Sequence, residues 1–407
     1  MNTCLVCGEQ QCSELHNFGE PAICHHFFDG TLVEQTHPLV LGQCESCATV
    51  QSLTPIPPEK LIPRFDWITY NEPEAHLDAL AEKLCKLPGI TQQSVVAGIS
   101  YKEDTTLRRF QERGFHQTWR INPKTDLDIS NPNAGVEMIQ AQILPSIVPK
   151  LLKKYPQPDI LIVRHMLEHT HDTLGFMRAL RDVVKPTGYV IFEVPDCARA
   201  FDMFDYTTLW EDHALYFVEP TFLHCMRSGE FSIFHFERYR AAYENCLVAI
   251  TRPESIGHSS GIKSTDMQIE HSRALTFARG FDNRRAEIRN LLQSWRKLGK
   301  IAVFGAGHQS AMFLNLMKVA DLIEFVVDDH PRKCGLRMPG SRLPIVASES
   351  LMRDNIKLCL MSLSAESEKK VVQKHTDFVD KGGTFASIYP ITKDSLLNQV
   401  AGVNQFK

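Results

Sequence analysis

Asp159-Ile160-Leu161-Ile162-Val163 carries a short apolar run, and Arg164-His165-Met166-Leu167-Glu168-His169-Thr170-His171-Asp172 follows it directly. A run this short, bounded by polar residues, reads as a strand buried on both faces. Downstream, Leu174, Met177, Leu180 and Val184 recur at helical spacing. Lys185-Pro186-Thr187-Gly188 then supplies a helix stop and turn, and Gly188 to Val194 reads as the next strand. Upstream, Leu77, Leu80, Leu84 and Leu87 mark a helix over 75–87, and Ser94-Val95-Val96-Ala97-Gly98-Ile99 reads as another buried strand. Strand, helix and strand at this spacing predict a parallel sheet with crossover helices.

Beyond this core, the segment from Glu230 to Arg252 reads as antiparallel, and Met267 to Leu298 as one long charged helix. A second unit starts at Lys300. Ile301-Ala302-Val303-Phe304 is a strand, Gly305-Ala306-Gly307 a turn, and a helix runs on to Met317. Strands over 322–327 and 356–362 and a helix over 366–378 complete another doubly wound pattern. Thr54-Pro55-Ile56-Pro57-Pro58 closes an N-terminal segment rich in cysteine, since proline blocks continuation of helix or ladder. The expected architecture is α/β: a module over 1–60, a Rossmann-like domain over 61–265, a helical linker over 266–299 and a C-terminal Rossmann-like domain over 300–407.

Of twelve cysteines in 407 residues, six lie before position 48. Cys4-x-x-Cys7 and Cys44-x-x-Cys47 are two knuckles. Four thiolates from two such turns surround one Zn²⁺ at about 2.3 Å each, which leaves no open position and makes the metal structural. Hydrophobic residues are 43% and charged residues 23%, and the formal net charge is −4, which gives no reason to expect nucleic acid as a partner. No apolar run reaches membrane-spanning length. No basic-then-apolar segment opens the chain, so a cytoplasmic location is expected.

Four motifs carry candidate chemistry. In an open parallel sheet the ligand crevice lies outside the carboxyl ends of the strands. His165, Glu168, His169 and His171 fall there, and imidazoles so placed act as bases or polar clamps. Trp210-Glu211-Asp212-His213-Ala214-Leu215-Tyr216-Phe217 sets acids beside a histidine, an arrangement that orients the ring for proton abstraction. Gly98-Ile99-Ser100-Tyr101-Lys102-Glu103-Asp104 occupies the place of a nucleotide or S-adenosylmethionine loop, with a single glycine. Asn122 stands where an acid would hold ribose hydroxyls. Gly305-Ala306-Gly307-His308-Gln309-Ser310 is a partial dinucleotide fingerprint, with Asp328 at the ribose-acid position.

In this order the pieces resemble the sugar C-methyltransferases that act on nucleotide-linked keto-deoxysugars. The resemblance runs from the first CxxC through Phe18-Gly19-Glu20-Pro21, Pro38-Leu39 and the second CxxC. It continues through Phe65-Asp66-Trp67-Ile68-Thr69-Tyr70, His169, Glu193-Val194-Pro195 and Asp212-His213-Ala214-Leu215-Tyr216-Phe217. It ends at Gly305 to Gly307, Asp328 and Pro339-Gly340-Ser341-Arg342-Leu343-Pro344-Ile345. The family has more glycine in its first loop, an acid in place of Asn122, tyrosines at Trp67 and Trp210, and a lysine after the last glycine turn.

The resemblance implies a class I methyltransferase fold for the central sheet, S-adenosylmethionine as methyl donor and structural zinc on Cys4, Cys7, Cys44 and Cys47. It implies that His213, oriented by Asp212, removes a proton α to a ketone, and that His169 contacts the sugar or stabilises the enolate oxygen. Gly98, Ser100, Asn122 and His165 are the expected cofactor contacts. Trp67, Trp210, Gly305, Gly307, His308 and Asp328 are the expected contacts of a nucleotide-sugar substrate. Two alternatives stand beside it: a non-catalytic nucleotide-sugar binder with a degenerate first loop, and an NAD-dependent oxidoreductase using Gly305, Gly307 and Asp328.

Overall fold

The computed structural model describes residues 2–31, 33–66, 68, 72–254, 262–353 and 355–399. The chain divides into two compact units. The first comprises Met1–Leu15, Leu41–Ala198 and Asp212–Ser272; the second comprises His16–Val40, Arg199–Glu211 and Arg273–Lys407.

Strands β1 (Cys12–Asn17), β2 (Val40–Cys44), β3 (Val50–Ser52), β4 (Val96–Gly98), β5 (Thr118–Arg120), β6 (Ile160–Arg164), β7 (Tyr189–Asp196), β8 (Leu215–Tyr216), β9 (Phe231–Tyr239) and β10 (Asn245–Pro253) form two sheets. The larger has the order β5-β4-β6-β7-β10-β9. Its first four strands are parallel, and β10 pairs antiparallel with both β7 and β9. This is the Rossmann-like sheet expected, closed by the antiparallel pair read from Glu230 to Arg252.

The apolar run that set this reading works on both faces. Ile160 and Ile162 of β6 join Leu77, Leu80, Leu84, Val96, Tyr189 and Ile191 in one core cluster. Leu161 and Val163 join Ala97, Ile139, Phe176, Leu180, Val190 and Phe192 in the other. Side chains alternate between the faces of a strand, so a continuous apolar run is what a sheet covered on both sides demands. The helix Leu77–Cys85 buries Leu77, Leu80, Ala81 and Leu84 on one stripe. Each fully buried leucine contributes roughly 1.5–3 kcal/mol.

The smaller sheet has the order β1-β2-β3-β8. It joins the cysteine knuckles to the segment after Asp212, because β8 pairs antiparallel with β3, Val50 opposite Tyr216 and Gln51 opposite Leu215. The sequence reading did not foresee β8, whose two residues are too few to show a period.

In the second unit β11 (Lys300–Phe304), β12 (Phe325–Val327), β13 (Ile345–Val346), β14 (Ile356–Met361) and β15 (Thr384–Ser387) form a wholly parallel sheet ordered β13-β12-β11-β14-β15. That order is doubly wound, as predicted. The expected linker is one helix, Ser264–Arg296. Among the described residues no helix is long and apolar enough to cross a membrane.

Candidate active site

The site is built at the carboxyl ends of β4, β6 and β7. Register sets its centre: Arg164 on β6 stands opposite Glu193 on β7. The guanidinium donates to both carboxylate oxygens, Nε at 2.8 Å and Nη2 at 3.1 Å. Both residues are buried. His165 follows in a left-handed conformation at φ 45°, which costs of order 1–3 kcal/mol for a residue other than glycine. Its ring meets Glu193 at 3.1 Å, Glu168 at 3.3 Å and Glu72 at 3.6 Å. Lys102 pairs with Glu72.

Charge decides protonation throughout this cluster. Burial alone would lower the His165 imidazole, but Glu72, the Cys246 thiol, Glu168 and Glu193 hold it well above its ordinary range. Burial would raise Glu193, but Arg164 and His165 hold it well below the usual carboxylate range. Glu72 is likewise held down at about 2, against burial, by His165 and Lys102. Cation and anion alternate, as buried charges require.

The two catalytic histidines of the sequence reading do come together. His169 and His213 face each other edge-on, ring centroids 4.8 Å apart. The backbone after His213 is pinned on both sides: Ala214 N–H donates to Glu168 O at 2.8 Å, and Ser52 N–H donates to Ala214 O at 2.9 Å. His213 is pushed down to about 3 by desolvation and then by the Lys102 cation, so its ring is neutral at pH 7. His169 is held well below its ordinary range by burial and then by His213. Its Nδ1 lies 3.2 Å from the Asp212 carbonyl oxygen. That oxygen only accepts, so Nδ1 carries the hydrogen and Nε2 is an acceptor. His169 is therefore set to receive a hydrogen bond, and the neutral ring has no donor left for an enolate oxygen. Glu137 lies 3.7 Å from His169 Nδ1. Ligand atoms of Glu168, His169 and His213 lie within 4.8 Å of one another, as do those of Glu137, His169 and Asp212.

The four expected cofactor contacts surround the same strand ends, and each has a partner inside the protein. After β4 the chain forms a self-capped turn. Glu103 Oε2 accepts from Ser100 N–H at 2.6 Å and from Ser100 Oγ at 2.9 Å, and Ser100 Oγ accepts from Lys102 N–H. Glu103 Oε1 accepts from Arg164 N–H at 2.8 Å. A Cβ on Gly98 would stand 2.6 Å from Glu103 Cβ, so Glu103 fills the space the glycine leaves. The Asn122 side chain caps the turn Pro123–Asp126, accepting from Lys124 and Thr125 N–H. His165 is ringed by carboxylates. The loop thus lacks the open amide cradle that a glycine-rich turn offers a ligand, and residues 100–103 must shift to expose one.

The expected substrate contacts are divided. Trp67 lies outside the described residues. In the second unit, Trp210 stacks on His308, centroids 3.8 Å apart and planes 9° apart. Gly305 (φ 105°) is required by close approach, since a Cβ there would collide with the Ser362 carbonyl oxygen at the end of β14. The amides of its turn are taken: Gly305 N–H by Val327 O, Ala306 N–H by Asp328 Oδ2, Gly307 N–H by Ser310 Oγ. Asp328 also pairs with Lys333 at 2.8 Å. These contacts leave a pyrophosphate none of those three donors, and Asp328, the ribose-acid candidate, already holds the turn together.

The cysteine knuckles meet. Cys4 and Cys47 Sγ are 3.6 Å apart, as are Cys7 and Cys44 Sγ. Two thiolates on one tetrahedral zinc stand about 3.8 Å apart, so the cluster is of the right size for such an ion.

Sequence reasoning missed Glu72, Lys102, Arg164 and Glu193. The signal was there in two of them: Arg164 and Glu193 interrupt otherwise apolar strands, and a charge in a doubly covered strand must be paired.

Residues 72–233 match the family model of a methyltransferase domain, and residues 264–390 match that of a C-methyltransferase C-terminal domain. A search of curated proteins finds no match. Among solved structures there is similarity to 1,6-didemethyltoxoflavin-N1-methyltransferase of Burkholderia thailandensis with bound 1,6-didemethyltoxoflavin and S-adenosylhomocysteine. It has 14% identity and a TM-score of 0.30, over 45% of this chain and 80% of that one. A SAM-dependent methyltransferase from Aquifex aeolicus shows 14% identity and a TM-score of 0.29, over 47% and 96%. Overlaps this slight carry no weight of their own. The family matches support an S-adenosylmethionine-dependent methyltransferase, and the second of them points to methylation at carbon.

Proposed function

We propose that the protein is a C-methyltransferase acting on a small keto-sugar carried by a nucleotide, with His213 as the base. The observation that carries this reading is the His169–His213 pair, held neutral at the carboxyl end of a methyltransferase-type sheet. S-adenosylmethionine supplies a methyl group on a sulfonium, and what remains for the protein is to make a carbon nucleophilic. His213, neutral and with its following backbone pinned, takes the proton α to the ketone. With its pKa pushed down to about 3, His213 is a weak base in the free protein, so the step needs strong stabilisation of the enolate. We assign that role to Lys102, whose charge acts on His213. His169 Nε2 accepts from a sugar hydroxyl and fixes the ring. Cys4, Cys7, Cys44 and Cys47 hold a structural Zn²⁺, and the sheet they anchor reaches Ala214 through β3 and β8.

The test is turnover with labelled S-adenosylmethionine and a panel of nucleotide keto-sugars, read by mass analysis. His213→Ala is expected to fold normally and to lose about 10²–10⁴ in rate. Full activity in that variant removes His213 from the base role. The self-capped loop at Ser100 favours a second reading, a nucleotide-sugar binder that does not use the donor. Calorimetry separates the two: absence of S-adenosylmethionine binding at millimolar ligand, with retained nucleotide-sugar binding, selects the binder.

A further inference from the structure

The second unit contains a cluster to which the proposed mechanism gives no role. Cys24, Glu211 and His308 come from three separate stretches of chain and are all buried. Their Sγ, carboxylate and imidazole atoms lie within 4.8 Å of one another. Glu211 is fixed at one oxygen, where Oε1 accepts the Cys24 backbone N–H at 2.6 Å. That contact turns Oε2 toward His308, whose Nε2 stands 3.3 Å away. Trp210 covers one face of the imidazole and holds its plane.

We propose that Cys24, Glu211 and His308 form a binding site for a divalent transition cation of the zinc class, distinct from the four-cysteine cluster. Three arguments meet here. First, nitrogen and oxygen ligands at about 2.0–2.1 Å on a tetrahedral ion stand about 3.3 Å apart, which is the separation found. Second, thiolate, imidazole and carboxylate are the ligand types zinc takes, and three protein ligands leave a fourth position open to an exogenous group. Third, a buried carboxylate beside a buried imidazole and thiol is stable when paired or metal-bound. A dication answers all three groups at once, and the Cys24 amide orients the carboxylate as outer-shell contacts do. The proposal does not depend on the methyl-transfer reading.

The test uses the full chain, loaded with Zn²⁺, dialysed and analysed by elemental mass spectrometry, and separately loaded with Co²⁺ for absorption spectroscopy. Cys24→Ser and His308→Ala are each expected to lose one equivalent of metal relative to wild type. Cys24→Ser should also lose the thiolate-to-cobalt band of a one-sulfur site while the band of the four-sulfur site persists. Persistence of that second band reports a folded protein, as does an unchanged circular dichroism spectrum. Glu211→Gln keeps an acceptor for the Cys24 amide and should weaken zinc binding at least tenfold. Wild-type metal content and cobalt spectrum in folded Cys24→Ser would overturn the proposal. So would a single equivalent of metal in the wild type that is lost from Cys44→Ser but retained in Cys24→Ser and His308→Ala.

Discussion

The turn after β4 and the turn after β11 occupy equivalent places, each following the first strand of a parallel sheet. Both have amides satisfied by side chains, Glu103 in the first and Asp328 and Ser310 in the second. What differs is the neighbour of each glycine. After β4 a buried carboxylate, Glu103, folds back over Gly98 and ties Ser100 to the Arg164 amide. After β11 the Ser362 carbonyl oxygen itself stands against Gly305. The difference teaches what must move for each turn to open: residues 100–103 in the first, and the end of β14 in the second.

The largest effect should come from the charges beneath the first turn. Glu193→Gln leaves Arg164 and His165 without their shared anion, and breaking a buried pair costs about 3–5 kcal/mol. Urea unfolding monitored by circular dichroism should show this loss. A change under 1 kcal/mol would mean that the strand ends are hydrated and already open.

The two glycines test the contrast directly. Gly305→Ala combines positive φ with a backbone collision and is expected to cost about 2–4 kcal/mol. Gly98→Ala meets Glu103 Cβ, which moves only with its backbone, and should cost about 1–3 kcal/mol as residues 100–103 shift. Equal losses in thermal unfolding would erase the distinction between the two turns.

A further effect is a slope with pH. Burial raises Glu103 to about 7, against the Arg164 and Ser100 contacts that lower it. The folded protein therefore holds a proton that the unfolded chain releases nearer pH 4.5, the ordinary glutamate value. Between those values the native state binds more protons, so this residue makes stability fall as pH rises from about 4.5 to 7. Glu103→Gln removes that contribution and should flatten the urea midpoint over the interval. Glu193 acts in the opposite sense: its lowered value gives stability above pH 4.5 that is lost on acidification. A wild-type midpoint that rises from pH 5 to 7 no less steeply than that of Glu103→Gln would show the first turn already open to water.

Much of the fold was legible because its determinants are local. Ile160 to Val163, the stripe Leu77, Leu80 and Leu84, and the turn Gly305 to Gly307 each fix an element through their own period or conformational freedom. The paired CxxC turns were legible for the same reason. The candidate histidine pair was half legible: His169 and His213 were visible as candidates, and the structure brings their rings together. The tautomer of His169 was not visible, since it follows from a carbonyl 43 residues away in the chain.

The amino-acid sequence by itself determined two sheets built on parallel strands, a cysteine module and a set of polar residues at strand ends. It could do so because side-chain period and turn chemistry act over a few residues. Only the tertiary structure decided that Arg164 faces Glu193, that Glu103 closes the first turn, that Asp328 is spent on Ala306, and that Cys24, Glu211 and His308 converge. Those outcomes depend on strand register and on contacts across long stretches of chain. Register is a property of paired strands, not of any one of them.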